Sequence, residues 1–153
     1  MEYAIENEYL IVTVTTWGAQ VKSVVRKFDD VEHMWQADKS VWGYHAPILF
    51  PHTGKVVDDL IETKGEVYQA KQHGFARLME HTLVRQTEDT IVMELRSSEE
   101  TLRIFPYAFR LVSTFTLDGD TLHHKLTVEN WDADKLYFGI GYHPSFTVPF
   151  DDE

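Results

Sequence analysis

Cysteine is absent from the 153 residues. That absence excludes a disulfide staple, a thiolate nucleophile and a zinc–thiolate site, so any chemistry must come from other side chains. Long apolar runs are missing too, and none approaches the ~20 residues that a membrane-crossing helix requires. Positive charge is scarce: 14 Lys and Arg stand against 25 Asp and Glu, a net charge of -11. A surface of that sign repels phosphate backbones and anionic lipid heads, so neither nucleic acid nor membrane is expected as a partner. There is no internal repeat, linker or low-complexity stretch. The opening residues, Met1-Glu2-Tyr3-Ala4-Ile5-Glu6-Asn7, are acidic where a secretory signal is basic and interrupted where it is apolar, which places the expected location in the cytoplasm. With 43% hydrophobic residues the chain carries enough apolar material for one domain, residues 1–153.

What is there has a period of two. Residues 9–16 are β-branched and alternate, Ile11 and Thr13 against Val12 and Val14, the pattern of a strand with two different faces. Residues 19–27, 81–86, 90–96, 109–117, 121–130 and 136–149 read the same way, separated by turn residues such as Phe28-Asp29-Asp30, Thr87-Glu88-Asp89 and Asp118-Gly119-Asp120. In the last of these, Gly119 suits a tight hairpin turn that needs positive φ. Only residues 97–104 look helical, with Ser97 or Ser98 as cap, Glu99 and Glu100 in the first turn and Pro106 as terminator. Many short strands and one short helix predict an all-β fold, an antiparallel sandwich or barrel.

Residues 42–51 depart from that pattern. Trp42-Gly43-Tyr44-His45-Ala46-Pro47-Ile48-Leu49-Phe50-Pro51 mixes aromatics with two prolines, which suits a loop packed across a sheet rather than a central strand. Its aromatics are either core or a flat surface of the kind that stacks on sugar rings. Among the eight histidines, His123 and His124 are adjacent on one strand and point to opposite faces, so they cannot chelate together, and one of them faces solvent. His33, His45, His52 and His81 have no ligand-like spacing and read as structural. His73 and His143 stand out. His73 precedes Gly74, which leaves the backbone free to adopt a special conformation, and Arg77 adds a cation with five donors. His143 precedes Pro144, which holds it in extended geometry. Two imidazoles on fixed backbone can supply proton donors near neutral pH.

The ordered series Trp17-Gly18-Ala19, residues 46–55 (Ala-Pro-Ile-Leu-Phe-Pro-His-Thr-Gly-Lys), His73-Gly74-Phe75-Ala76-Arg77, Phe105-Pro106-Tyr107-Ala108-Phe109 and Gly141-Tyr142-His143-Pro144-Ser145-Phe146 resembles the aldose 1-epimerase, or galactose mutarotase, family. It is most similar to the branch found with bacterial lactose genes. The resemblance implies a large antiparallel β-sandwich, a supersandwich, with a small sugar such as galactose or glucose lying across a concave sheet. It implies interconversion of α and β anomers by acid and base ring opening, with no metal and no organic cofactor. By motif match, His143 is the general acid toward the ring oxygen and His73 supports the developing charge. Lys55 occupies a position where the family usually carries Arg, and with Arg77 it is the candidate substrate-binding pair.

The same resemblance covers only the first part of the family's domain. The family's general base is a glutamate in the C-terminal half, and no motif here matches it, so the base is expected outside these residues. Glu129 and Glu153 are the available carboxylates. A partial sandwich is expected to expose sheet edges that can self-associate. Two other readings remain open: an epimerase of hexose 6-phosphates, with Lys55 and Arg77 as a phosphate clamp, and a non-catalytic carbohydrate-binding module.

Overall fold

The computed structural model describes residues 1–148. The chain opens with a four-stranded antiparallel meander, β1 (Glu2–Glu6), β2 (Leu10–Thr15), β3 (Gln20–Arg26) and β4 (Val31–Glu32). A short β5 (Ile48–Leu49) and the hairpin β6 (Leu60–Thr63) and β7 (Glu66–Gln69) follow. The second four-stranded meander comprises β8 (Thr82–Gln86), β9 (Thr90–Arg96), β10 (Phe109–Asp118) and β11 (Thr121–Asn130), in the order β11-β10-β9-β8. Last comes β12 (Gly141–Tyr142), which pairs with β5.

The alternation seen in the sequence explains why these two sheets face one another. Leu10, Val12 and Val14 of β2 are buried while Ile11, Thr13 and Thr15 between them are not fully covered. On β10, Phe109, Leu111, Phe115 and Leu117 turn inward on the same two-residue period. Both rows belong to one buried cluster, the core of an antiparallel β-sandwich. Aromatic rings fill one end of it: Phe50, Phe75, Phe105 and Phe109 meet with centroids 5.1 to 6.2 Å apart.

The hairpin at Asp118-Gly119-Asp120-Thr121 forms as expected, with Asp118 opposite Thr121 and Gly119 at φ 57. The helix is shorter than residues 97–104: α1 spans Glu99–Leu102, where Ser98 and Thr101 bond each other's backbone in a capping box. Besides the two-residue β4 and β5, two strand regions had no expectation. Residues 2–6 add an edge to the first sheet, and residues 60–69 form a hairpin whose Lys64 and Gly65 both have positive φ, 51 and 78.

The strand expected over residues 136–149 is corrected. Among the described residues of that span, 136–148, only Gly141 and Tyr142 form a strand, with one isolated bridge from Phe146 to Met34; residue 149 lies outside the described residues. The segment still runs antiparallel to residues 45–51: Gly139 N donates to Pro51 O, His143 N to Pro47 O and Ser145 N to His45 O. Pro47, Pro51 and Pro144 have no N–H to return, so the ladder breaks into separate bonds. Residues 46–50 are buried beneath it, as a loop laid across the core.

Candidate active site

The segment around His73 is held by glycine chemistry on both sides. Gly74 has φ 68, and a Cβ there would lie 2.2 Å from the carbonyl oxygen of Phe50, so no other residue fits. That contact seats the turn against the core: Gly74 bridges Phe50, and the N–H groups of Phe75 and Ala76 both donate to Phe50 O. His73 itself has φ 67, a left-handed conformation that a side-chain-bearing residue keeps only where its surroundings enforce it. The enforcement is visible. His73 N donates to Gly54 O, and Gly54 N donates back to the imidazole Nδ1, both at 2.9 Å.

This reciprocal pair fixes the tautomer. An Nδ1 that accepts a hydrogen bond cannot carry the proton, so the neutral ring bears it on Nε2. Gln72 stands 3.3 Å from that Nε2, and with the proton there its amide must turn oxygen inward. Partial burial, then the positive charges of Arg77, His143 and His52, hold His73 below the ordinary imidazole range. His73 is therefore a neutral N–H donor at pH 7. Arg77 reaches this spot too, donating to the carbonyl oxygen of Gln72 next to His73.

The aromatic loop joins the two motifs physically. Trp42 packs against His143 with centroids 5.0 Å apart and against Tyr44 at 5.7 Å, and the Arg77 guanidinium lies over the Tyr44 ring at 5.0 Å. Trp42 is itself anchored, its carbonyl accepting from Trp35 Nε1 at 2.8 Å. These aromatics are neither core nor free surface. They are half-buried walls between His143 and Arg77. The sequence flagged the loop, but nothing in it indicated that Trp42 and Tyr44 bridge the two motifs, because the contacts span about a hundred residues of chain.

The candidate residues divide into those that converge and those that do not. His143 is solvent-exposed, its backbone fixed to Pro47 and its ring against Trp42. Arg77 makes no ion pair among the described residues; one terminal nitrogen donates to Gln72 O at 3.1 Å and Nε is buried without a partner. Lys55 directly follows Gly54, yet its ammonium turns outward, 3.8 Å from Asp59. Glu129 is committed elsewhere, accepting from Arg110 at 2.9 Å and Trp131 Nε1 at 3.1 Å. Glu153 lies outside the described residues. Among the described residues no carboxylate bonds to His73, His143 or Arg77, and no group of three or more His, Asp or Glu is placed to hold a metal ion.

The remaining histidines have structural positions. His45 and His81 each spend a ring nitrogen on a backbone carbonyl, as does His52 through Nε2 to Lys71 O. His123 is exposed while His124 stacks on Phe115 at 4.2 Å, the opposite-face arrangement expected of neighbours on a strand.

A family model described as aldose 1-epimerase matches residues 1–153. Protein LacX of Lactococcus lactis subsp. lactis, plasmid and chromosomal, is 34% identical over 156 residues, covering 97% of this chain and 52% of the relative. Among solved structures, the galactose mutarotase related enzyme from Lactobacillus acidophilus is similar with a TM-score of 0.97 and 36% identity, over 99% of this chain and 51% of that one. A galactose mutarotase-like protein from Lactobacillus casei ATCC 334 follows, with a TM-score of 0.95 and 33% identity over 99% and 52%. The chain spans about half the length of the relatives it matches. Among the described residues no helix is long and apolar enough to cross a membrane.

Proposed function

The chain belongs to the aldose 1-epimerase family, and we propose that it supplies the histidine side of a site that interconverts the α and β anomers of a free hexose. The observation that carries this reading is the run of contacts from His143 through Trp42 and Tyr44 to Arg77, whose guanidinium donates to Gln72 O beside His73. Anomer exchange needs a proton delivered to the ring oxygen and one withdrawn from the C1 hydroxyl, after which the C1–C2 bond rotates and the ring closes from the other face. His143 is exposed and extended, so in its protonated form it can reach a sugar oxygen as the acid. His73, held neutral as the Nε2–H tautomer, donates a hydrogen bond without competing for the proton. A ligand oxygen would take the place of the Gln72 amide at that N–H. The base is proposed to be a carboxylate from the part of the relatives that this chain does not span.

Polarimetry on freshly dissolved α-glucose or α-galactose tests the reading. Acceleration is expected when a polypeptide carrying the remaining half of a relative is present, and a His143→Asn variant should lose at least a hundredfold of it. Undiminished rate in that variant would refute the role of His143. Full rate from the isolated chain, lost on Glu129→Gln, would refute the outside base.

A second reading has its own support. Among the described residues Arg77 has no carboxylate partner and Lys55 only a long one, so a phosphorylated hexose could engage both cations. Competition by glucose 6-phosphate but not by glucose would favour it. Saturable sugar binding without any rate enhancement, the complementary half included, would favour a binding module.

A further inference from the structure

Beneath the β6–β7 hairpin lies a cavity of about 270 Å³ that the reaction proposed above does not use. Among the described residues, none of His73, His143, Arg77, Trp42 and Tyr44 lines it. Its apolar walls come from three parts of the chain: Phe75 and Phe105 belong to the core with ring centroids 6.2 Å apart, Ile61 comes from β6, and Ile104 follows α1. The hairpin that roofs it is fastened at its tip. Lys64 Nζ reaches Asp132 at 2.9 Å and Asp134 at 3.1 Å and lies over the Tyr107 ring, while the hydroxyls of Thr63 and Tyr107 share a hydrogen bond. The space is therefore held open by fixed walls, as a preformed site is.

His52 supplies an independent observation. Gln69, Lys71 and Glu100, the other polar residues of the lining, are exposed to solvent and stand at the mouth, whereas His52 is half-buried. Its Nε2 lies 2.9 Å from the carbonyl oxygen of Lys71, which can only accept, so Nε2 bears the proton. In the neutral ring Nδ1 is then a bare lone pair, and it is buried with no hydrogen-bond partner. A buried acceptor left unpaired is unfavourable, and a ligand that brings a donor to it removes that penalty.

Size and lining together set the class of ligand. An apolar cavity of ~150 Å³ already takes benzene, so this one has room for one or two aromatic rings. Walls of Phe, Ile and Gly74 give a charged group nothing to pair with, which restricts the occupant to a neutral molecule. We propose that the cavity binds a neutral one- or two-ring aromatic molecule with a single N–H or O–H donor, its rings on Phe75 and Phe105 and its donor on His52 Nδ1. Gly74 adjoins His73, and His52 lies two residues before Gly54, so such a ligand rests against both segments that make the His73 lock. The site is independent of the proton chemistry proposed above and is read without turnover.

The test titrates the full chain with indole and with benzofuran, the same two rings with oxygen in place of the N–H, and follows backbone amides by nitrogen-15 NMR. Indole is expected to saturate, with shifts concentrated in residues 51–54, 69–79 and 100–105, and benzofuran to bind at least tenfold more weakly for want of the donor. His52→Phe keeps a ring and removes the acceptor, so it should erase the difference between the two probes. Ile61→Trp fills the cavity from the hairpin side and should abolish binding of both while thermal unfolding stays cooperative. Saturating glucose or galactose should leave the affinity for indole unchanged. No saturable binding up to the solubility of indole would overturn the proposal, as would equal affinities of the two probes for the unmodified chain. Competition by either sugar, or full binding in Ile61→Trp, would place the ligand elsewhere and overturn it too.

Discussion

Lowering the pH from 7.5 to 5.0 should destabilise the fold through His81. This imidazole is 2% exposed, its Nε2–H donates to Ala76 O at 3.1 Å and its Nδ1 is buried without a partner. Burial holds it down to about 4 against an ordinary 6.5, opposed only weakly by the Ala76 carbonyl and the Glu80 charge. The folded pKa is the depressed one, so the unfolded chain binds the proton first. Stability is full above pH 6.5 and falls as the pH drops toward 4. At pH 5 the unfolded imidazole is almost wholly protonated and the folded one almost wholly neutral, a difference of about 2 kcal/mol. Urea unfolding followed by far-UV circular dichroism reads this as a fall of about 1 M in midpoint. Other groups titrate in the same range, so the comparison is with His81→Gln, whose Nε2 can keep the bond to Ala76 without titrating. The variant should lose about 2 kcal/mol less than the wild type over this interval. Parallel pH profiles for the two proteins would refute the reasoning. Because His81 supports the turn that carries Ala76 and Arg77, acid should also loosen the candidate site.

Other expectations concern glycine, the tautomer and the charge network. Gly74→Ala should cost at least about 3 kcal/mol in urea unfolding, since its Cβ would strike the Phe50 carbonyl. Gly119→Ala, at φ 57 with open space around it, should cost only about 1 kcal/mol. Nitrogen-15 spectra of the imidazoles should show His73 protonated at Nε2 and bare at Nδ1, and Gly54→Pro, which removes the donor, should abolish that preference while Gly54→Ala keeps it. Arg110→Ala should lower the melting temperature at pH 7, because Glu94, whose side chain is 9% exposed, loses one of its two guanidinium partners and keeps only Arg96. Asp132 is held down to about 2 by Lys64 and by the backbone N–H groups of Asp134 and Ala108, so its contribution is present above pH 4 and lost as the pH falls toward 2, an effect that Asp132→Asn should remove from the acid limb of the melting curve.

Strands with one buried face were legible because each carries its period within a few residues, as Leu10, Val12 and Val14 do on β2. The turn at Gly119 was legible for the same local reason. The segment from 136 to 149 misled because its apolar composition matches a strand while its neighbours along 45–51 include two prolines, a fact about the partner and not about the segment. The site was legible at the level of motifs. His73 and His143 could be singled out by their glycine and proline neighbours, but the lock on His73 comes from Gly54, nineteen residues away, and needs the fold to bring it there. The motif marks Arg77 as a substrate-binding candidate, but its place over the Tyr44 ring is a contact that no spacing rule encodes.

The Gly54 lock bears on how the chemistry is divided between the two histidines. A histidine free to take either tautomer serves as donor or acceptor as the substrate demands, and its partner can do the same, so their roles are interchangeable. At His73 that freedom is removed before any ligand arrives, by the backbone N–H of Gly54, whose carbonyl accepts from His73 N in return. The ring can then only donate, and its lowered basicity keeps it from taking up the proton that ring opening requires. His143 has no hydrogen bond on either ring nitrogen among the described residues and only the Trp42 face against it. A Gly54→Pro variant should break the lock, because it deletes the donor and cannot take the φ of 74 that Gly54 holds, and both His73 tautomers should then appear in nitrogen-15 spectra.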